Sequence, residues 1–384
     1  MKNDFCTLII ALAIIGCGAR LASAAEPLPV YILAGQSNMQ GHASVTTLPH
    51  VGMDPATAPL LAEMVDENGT PRIHPNVWIS SIGNTGNEDE IHGPLTIGFG
   101  AGNSKDKLGP EWTFGIHMQK HVGRPILIIK TAWGGKSLHT DFRSPGSGVY
   151  EFRPDEIARL KSQNKDVEAE AQQRAAQSGE YYRLMMQHVD KVLADIDRVV
   201  PQYDAEAGYE IAGFVWFQGW NDMVDQGVYP NRSQPGGYDR YSLMMAQFIR
   251  DVRNDLDSPE LPFVIGVFGV GGPVDDYGPS QQRYVSTHQG FRNAMAAPTS
   301  MTEFQGNVAA VLTENYWDVE LAELKARGHR KTAQQREQLF TPRELEILQG
   351  SSNAEYHYNG SAKIMAQIGK GFADAVANLS MNKK

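Results

Sequence analysis

Cysteine is nearly missing from this sequence. Its 384 residues contain 2 cysteines, Cys6 and Cys17, both close to the amino terminus. The remainder of the chain therefore has no disulfide, no thiol nucleophile and no cysteine metal ligand. Long apolar runs are missing as well. The run Phe5–Ile15 is far short of the roughly 20 residues a membrane-spanning helix requires. Positive charge is in deficit, with 34 Lys and Arg against 44 Asp and Glu, a net charge of −10. No stripe of basic residues compensates. A nucleic-acid surface is thereby excluded, and a polyanionic partner such as a sulfated glycan is disfavoured. The 41% of hydrophobic residues suffice for a core that is stable without cross-links at this length.

The first 25 residues read as a secretory signal peptide: Lys2, the apolar run, and the small-x-small site Ala22-Ser23-Ala24, as export signals require. Ile14-Ile15-Gly16-Cys17 also resembles a bacterial lipobox, in which Cys17 would carry the lipid. The protein is expected to be exported, periplasmic or secreted, and to meet a membrane only if anchored through Cys17.

Beyond the signal, apolar β-rich runs recur at Val30–Ala34, Val77–Ile82, Pro125–Thr131, Ile211–Phe217, Phe263–Phe268 and Val308–Leu312. Most are continuous rather than alternating, as in parallel strands covered on both faces. Helical stripes lie between them: Leu184, Met185, Val189, Val192, Ile196 and Val199; then Tyr241, Met244, Phe248, Val252 and Leu256. Pro110 and Gly123 bracket another helix. The alternation predicts an α/β domain with a doubly wound, mostly parallel sheet over residues 26–384. Two polar helical insertions are expected, near 140–180 (Asp155–Gln177 above all) and 319–348, the latter as a helical pair.

Four blocks carry candidate chemistry. The strand at Val30–Ala34 runs into Gly35-Gln36-Ser37-Asn38-Met39, a turn that would present the Ser37 hydroxyl at the carboxyl end of the sheet. Thr131-Ala132-Trp133-Gly134-Gly135-Lys136-Ser137 follows another strand, with two glycines able to bring a backbone N–H to an acyl group. Trp216-Phe217-Gln218-Gly219-Trp220-Asn221-Asp222 supplies two amide side chains, Gln218 and Asn221. Tyr356-His357-Tyr358 precedes a helix whose apolar face is Ile364, Ile368, Phe372 and Val376. His42 is either a pocket residue or an ordinary loop histidine. His117 and His121 have the i, i+4 spacing of metal ligands but no third ligand, which favours a structural role. Trp112, Trp133 and Trp220 are sugar platforms or core.

In their order and spacing these blocks resemble the SGNH (GDSL-like) hydrolase superfamily. The Gly-Gln-Ser-Asn-Met and Trp-x-Gln-Gly forms, with Gly109-Pro110-Glu111, look like its sialate O-acetylesterase and acetyl xylan esterase branch, from about Pro27 to Ala377. The resemblance implies a flavodoxin-like, three-layer α/β/α domain that deacetylates carbohydrates and needs no metal or organic cofactor. Ser37 would be the nucleophile and His357 its base. The oxyanion hole would combine the Ser37 N–H, a glycine N–H (Gly135 ahead of Gly134) and one amide, with Gln218 ranked ahead of Asn221. Where the pattern calls for an Asp beside the His, this chain has Glu355. Asn353, a backbone carbonyl or a Ser–His dyad are the alternatives. The rival functions are a lipid or aryl esterase on the same scaffold and a non-catalytic carbohydrate-binding protein.

Overall fold

The computed structural model describes residues 25–381, so the signal region and Cys17 lie outside the described residues. Among the described residues nine strands form: β1 (Leu28–Gly35), β2 (Ala43–Ser44), β3 (His74–Ile82), β4 (Ile91–Leu95), β5 (Lys107–Leu108), β6 (Ile126–Ala132), β7 (Tyr209–Phe217), β8 (Phe263–Val267) and β9 (Val308–Leu312). Seven make one sheet in the order β4-β3-β6-β1-β7-β8-β9, and β2 and β5 pair separately. Every neighbour in the large sheet is parallel except β4, which runs antiparallel to β3 at the edge.

Successive side chains of a strand point to opposite faces, and the aromatic contacts show both faces covered. On one face Phe217 packs against Phe372 and Tyr31 against Phe114, which seats the helices Glu111–Val122 and Ala362–Met381. On the other, Trp216 and Phe214 pack against Phe248, itself in contact with Tyr182. This seats the helices Asp239–Asp255 and Glu180–Ala194. The result is the three-layer α/β/α architecture, and it explains why β1 reads as an unbroken apolar run.

All six strands predicted from the apolar runs are present. The edge strand β4 has the sequence Ile-His-Gly-Pro-Leu, in which Gly and Pro mask the strand signal; an edge is where a sheet tolerates proline. Around 140–180 the insertion folds as two helices, Pro154–Ser162 and Val167–Gln177, and the second buries no residue. The 319–348 segment is not a helical pair. It forms three helices, Val319–Arg327, Ala333–Leu339 and Pro342–Leu348, closed over a small core of Leu321, Leu324, Phe340 and Ile347.

The chain leaves β1 for β3, returns to β6 beside β1, then crosses to β7, β8 and β9. Ligands of open α/β sheets bind where the winding reverses, outside the carboxyl ends of the strands. Here that position is the end of β1, between β6 and β7.

Candidate active site

At the end of β1 the chain turns sharply into a one-turn helix, Ser37–Gln40. Gly35 permits the turn: a Cβ there would lie 2.2 Å from the carbonyl oxygen of Phe217, so the residue must be glycine. Ser37 is 6% exposed, and among the described residues its Oγ has one hydrogen bond, from Gln36 Nε2 at 3.4 Å. The first amides of a helix have no intrahelical acceptor, which leaves the Ser37 N–H available to an external oxygen. The turn rests on a buried ion pair. Lys130 of β6 donates to the carbonyl of Gln40 (2.9 Å), the carbonyl of Phe99 (2.8 Å) and Glu111 Oε2 (2.8 Å). Glu111 also accepts from the Gly109 N–H at 2.9 Å. This is the structural content of Gly109-Pro110-Glu111: a proline-led turn whose acid pairs with the lysine beneath the Ser37 turn.

The amides beside Ser37 form a relay whose atom identities fix one another. Gln36 Oε1 accepts from the backbone N–H of Gly219 (3.0 Å) and of Asn221 (3.4 Å), so it is an oxygen. Gln36 Nε2 therefore donates to Asn221 Oδ1 at 3.1 Å, and Asn221 Nδ2 is left without a protein partner among the described residues. Gln218 is in the opposite condition. Its Nε2 donates to Asp222 Oδ2 (2.6 Å), Lys136 O (3.1 Å) and Gln36 Oε1 (3.2 Å), and its Oε1 accepts from Tyr241 OH (3.2 Å). Each polar atom of Gln218 is already committed. The sequence ranking is reversed here, with Asn221 the amide that has a donor to spare and Gln218 a structural brace. Asp222, fully buried, accepts from the N–H groups of Leu138 and His139 and from Tyr229 OH. It fastens the loop after β6 to the loop after β7. Burial pushes its pKa up, against the pull of these donors.

Of the two glycines after β6, Gly134 is the one packed against Ser37. A Cβ there would sit 3.9 Å from Ser37 Cβ and 3.3 Å from Gln40 Oε1. Gly135 turns the chain with φ +75° and has open space where a side chain would be. The oxyanion glycine ranked first from sequence is thus the turn-former, and its neighbour lies against Ser37.

His357 arrives from the far end of the sheet on a loop with unusual backbone. Tyr358, Asn359 and Gly360 all have positive φ, at 52°, 59° and 58°. Such strain persists only where surroundings over-determine it, and they do here. Tyr358 is wholly buried, its hydroxyl accepting from the Gly269 N–H (2.8 Å) and bonded to Thr313 Oγ1 (2.6 Å), at the ends of β8 and β9. The Asn359 carbonyl accepts from the N–H groups of Ser352 and Asn353. Asn38, next to Ser37, donates to the carbonyl of Tyr356 at 3.2 Å and ties the two loops together.

The imidazole is oriented by Asn353, not by Glu355. Asn353 Oδ1 lies 3.0 Å from His357 Nδ1 and also accepts from the Ala354 N–H at 2.7 Å. That second bond identifies the atom as oxygen, so His357 Nδ1 carries the proton and Nε2 is the free base. Glu355 is exposed and makes no hydrogen bond to His357. It lines a surface cavity instead. Lys325 holds the backbone carbonyl of Asn353, and the Asn353 amide occupies the place a triad acid would take. Burial, then Lys107, lowers the His357 pKa to about 4.

Trp112 and Trp133 are core residues. Trp220 is half-buried and packs in tilted contact with Phe268 and Tyr356. His117 and His121 pair with different carboxylates, Glu63 and Asp374, and do not converge. Sequence reasoning passed over Gln36 and the Lys130–Glu111 pair. Both lie within or beside quoted blocks, but only folding reveals their partners.

The sequence matches the family model described as carbohydrate esterase, sialic acid-specific acetylesterase, over residues 27–302. No curated protein matches it. Among solved structures it is similar to a protein from Arabidopsis thaliana at 16% identity, over 74% of this chain and 85% of that one, with a TM-score of 0.39. A carbohydrate acetylesterase from Xanthomonas citri aligns at 14% identity over 74% of this chain and 50% of its own (TM-score 0.39). NanS aligns at 13% over 75% and 78% (TM-score 0.37). At such TM-scores these likenesses add nothing to what the family match and the geometry carry.

Proposed function

We propose, on the premise that the chain belongs to the carbohydrate-esterase family of sialic acid-specific acetylesterases, that it removes O-acetyl groups from a glycan through a serine acyl-enzyme. Ser37 Oγ attacks the acetyl carbonyl while His357 Nε2 takes its proton. The oxyanion that forms accepts from the Ser37 N–H, an N–H of the Gly134–Gly135 turn and Asn221 Nδ2. Collapse expels the sugar oxygen, which regains the proton from His357. Water then enters with His357 as base and releases acetate and free Ser37.

The observation that carries this reading is the Gln36 relay, because it leaves one amide donor uncommitted beside the serine. An oxyanion hole requires such a preorganised, unspent donor. For the sugar, a cavity of about 520 Å³ opens beside the site, lined among others by Trp220, Tyr277, Tyr284, His288, Glu355 and Tyr356. Aromatic faces with a few polar groups suit a pyranose ring. Two of the cavity's lining residues, Trp220 and Tyr356, are the sequence neighbours of Asn221 and His357. The export pattern before Ala25 supports action outside the cytoplasm on a glycan.

The test is acetate release from a panel of acetylated oligosaccharides by the purified protein and by Ser37→Ala. Release by the native enzyme alone is expected. No release from any member, or equal release by folded Ser37→Ala, would overturn the reading.

A further inference from the structure

His42 lies on the loop that leaves the nucleophile helix, and nothing in the mechanism above uses it. Its ring is stacked face to face on His357, with centroids 3.9 Å apart and planes 3° from parallel. His42 Nε2 is buried and has no hydrogen-bond partner. A ring that hydrogen-bonded or shuttled protons would need an acceptor or donor there. What His42 presents to His357 is its flat face. The loop around it is firmly held: the Gly41 carbonyl accepts from the Ala101 N–H at 2.8 Å, and Ser44 N–H bonds Ser352 Oγ at 3.0 Å. The same stretch of chain thus carries the nucleophile at one end and the wall behind its base at the other.

We infer that His42 is a positioning residue for the esterase reaction, a stacked wall that fixes the plane of the His357 ring and keeps water off one of its faces. The inference rests on His357 being the base. It accounts for how the imidazole is held where a carboxylate is lacking. Asn353 fixes the tautomer and one edge of the ring, and a single hydrogen bond leaves the ring free to swing about it. A parallel ring at van der Waals distance removes that freedom.

The charged neighbours agree with a dry pair that stays neutral. Lys107, on β5, faces both rings, and Lys130 faces His42 from β6 beneath. Glu111 is engaged with Lys130, and Glu355 on the base loop is exposed. Burial, then the proximity of His357, lowers the His42 pKa to about 3. Burial likewise lowers the His357 pKa, to about 4, so both rings are neutral near pH 7.

The test compares His42→Ala, His42→Leu and His42→Phe, using p-nitrophenyl acetate hydrolysis against pH and the ¹⁵N-histidine shifts of His357. Removing the wall should lower kcat roughly ten- to hundredfold, the cost of a base displaced by an ångström or less. It should also move the acid limb of kcat/KM upward, toward the ordinary histidine value of about 6.5. Leu fills the space without a flat face, and it replaces Ala if that variant does not fold. Phe restores a flat ring without nitrogens and should recover most of both properties. Native kcat and acid limb in His42→Leu would overturn the inference, as would a His42→Phe no better than His42→Leu. Should His357→Ala prove as active as the native protein, the assignment of the base fails instead, and the two failures are told apart.

Discussion

The two halves of the site are built on different terms. The nucleophile half, Gly35 to Gln40, follows a central strand directly and is held by its own backbone, a buried ion pair and an amide relay whose members are all within hydrogen-bonding reach. The base half, Ser352 to Gly360, bridges the ends of β8 and β9. It has three successive residues at positive φ and depends on distant side chains: Tyr358 anchored to Gly269 and Thr313, and Asn353 clamped by Lys325. Strand ends fix a turn cheaply because the sheet is already ordered. A loop that must project an imidazole across the sheet lacks that support and draws its order from tertiary contacts. The difference teaches that the nucleophile half should tolerate little change in chemistry, whereas the base half should be sensitive to changes in its supports.

The largest effect expected is that of Ser37→Ala, a loss of about 10⁴-fold or more in kcat with the fold intact by circular dichroism. His357→Ala should match it, since the two act as one unit. Next comes the pair of amides. Asn221→Ala should cost about 10²–10³-fold in kcat, the usual price of a lost oxyanion donor, with little change in thermal midpoint. Gln218→Ala should lower the midpoint as well as activity, because it leaves buried Asp222 short of a donor. Equal midpoints for the two variants would return Gln218 to the oxyanion hole.

Within the base half, Asn353→Ala should lose far more activity than Glu355→Gln, which should stay within about threefold of native on an aryl acetate because Glu355 makes no bond to the base. Asn353→Asp places an anion at His357 Nδ1, which favours the imidazolium, so the acid limb of kcat/KM should move up. A pH profile of each variant checks both. Reversal of the Asn353 and Glu355 losses would restore Glu355 to the triad.

The smallest effect concerns stability. His42, His188, His288 and His357 have pKa values lowered to about 3, 4, 4 and 4, in each case chiefly by burial. A histidine whose folded value lies below its unfolded value of about 6.5 gives stability that is complete above that value and is lost as pH falls through the folded value. The thermal midpoint should therefore be flat near neutrality and fall between about pH 6.5 and 4. A midpoint independent of pH across that window would show these rings to be solvated.

The sheet was legible because continuous apolar runs have one stable use in a chain with intervening amphipathic helices, and the four candidate blocks were legible because each follows such a strand or precedes such a helix. Less was legible where two candidates of one chemical type sit close in sequence. Gln218 and Asn221 are both amides three residues apart, and Asn353 and Glu355 both precede His357. Spacing cannot separate them, since the choice depends on which polar atoms other residues have already consumed. Gln218 was taken by Asp222 and Tyr241, and the place of the triad acid was taken by the Asn353 amide, whose oxygen faces His357 Nδ1. The sequence by itself determined the six apolar strands of the sheet, the fold class and the carbohydrate-esterase family, because local hydrophobic pattern and turn residues act over a few positions. Tertiary structure alone decided which amide is free, what orients the base and that His42 lies flat against it, because those follow from hydrogen-bond saturation and ring packing between residues up to 315 positions apart.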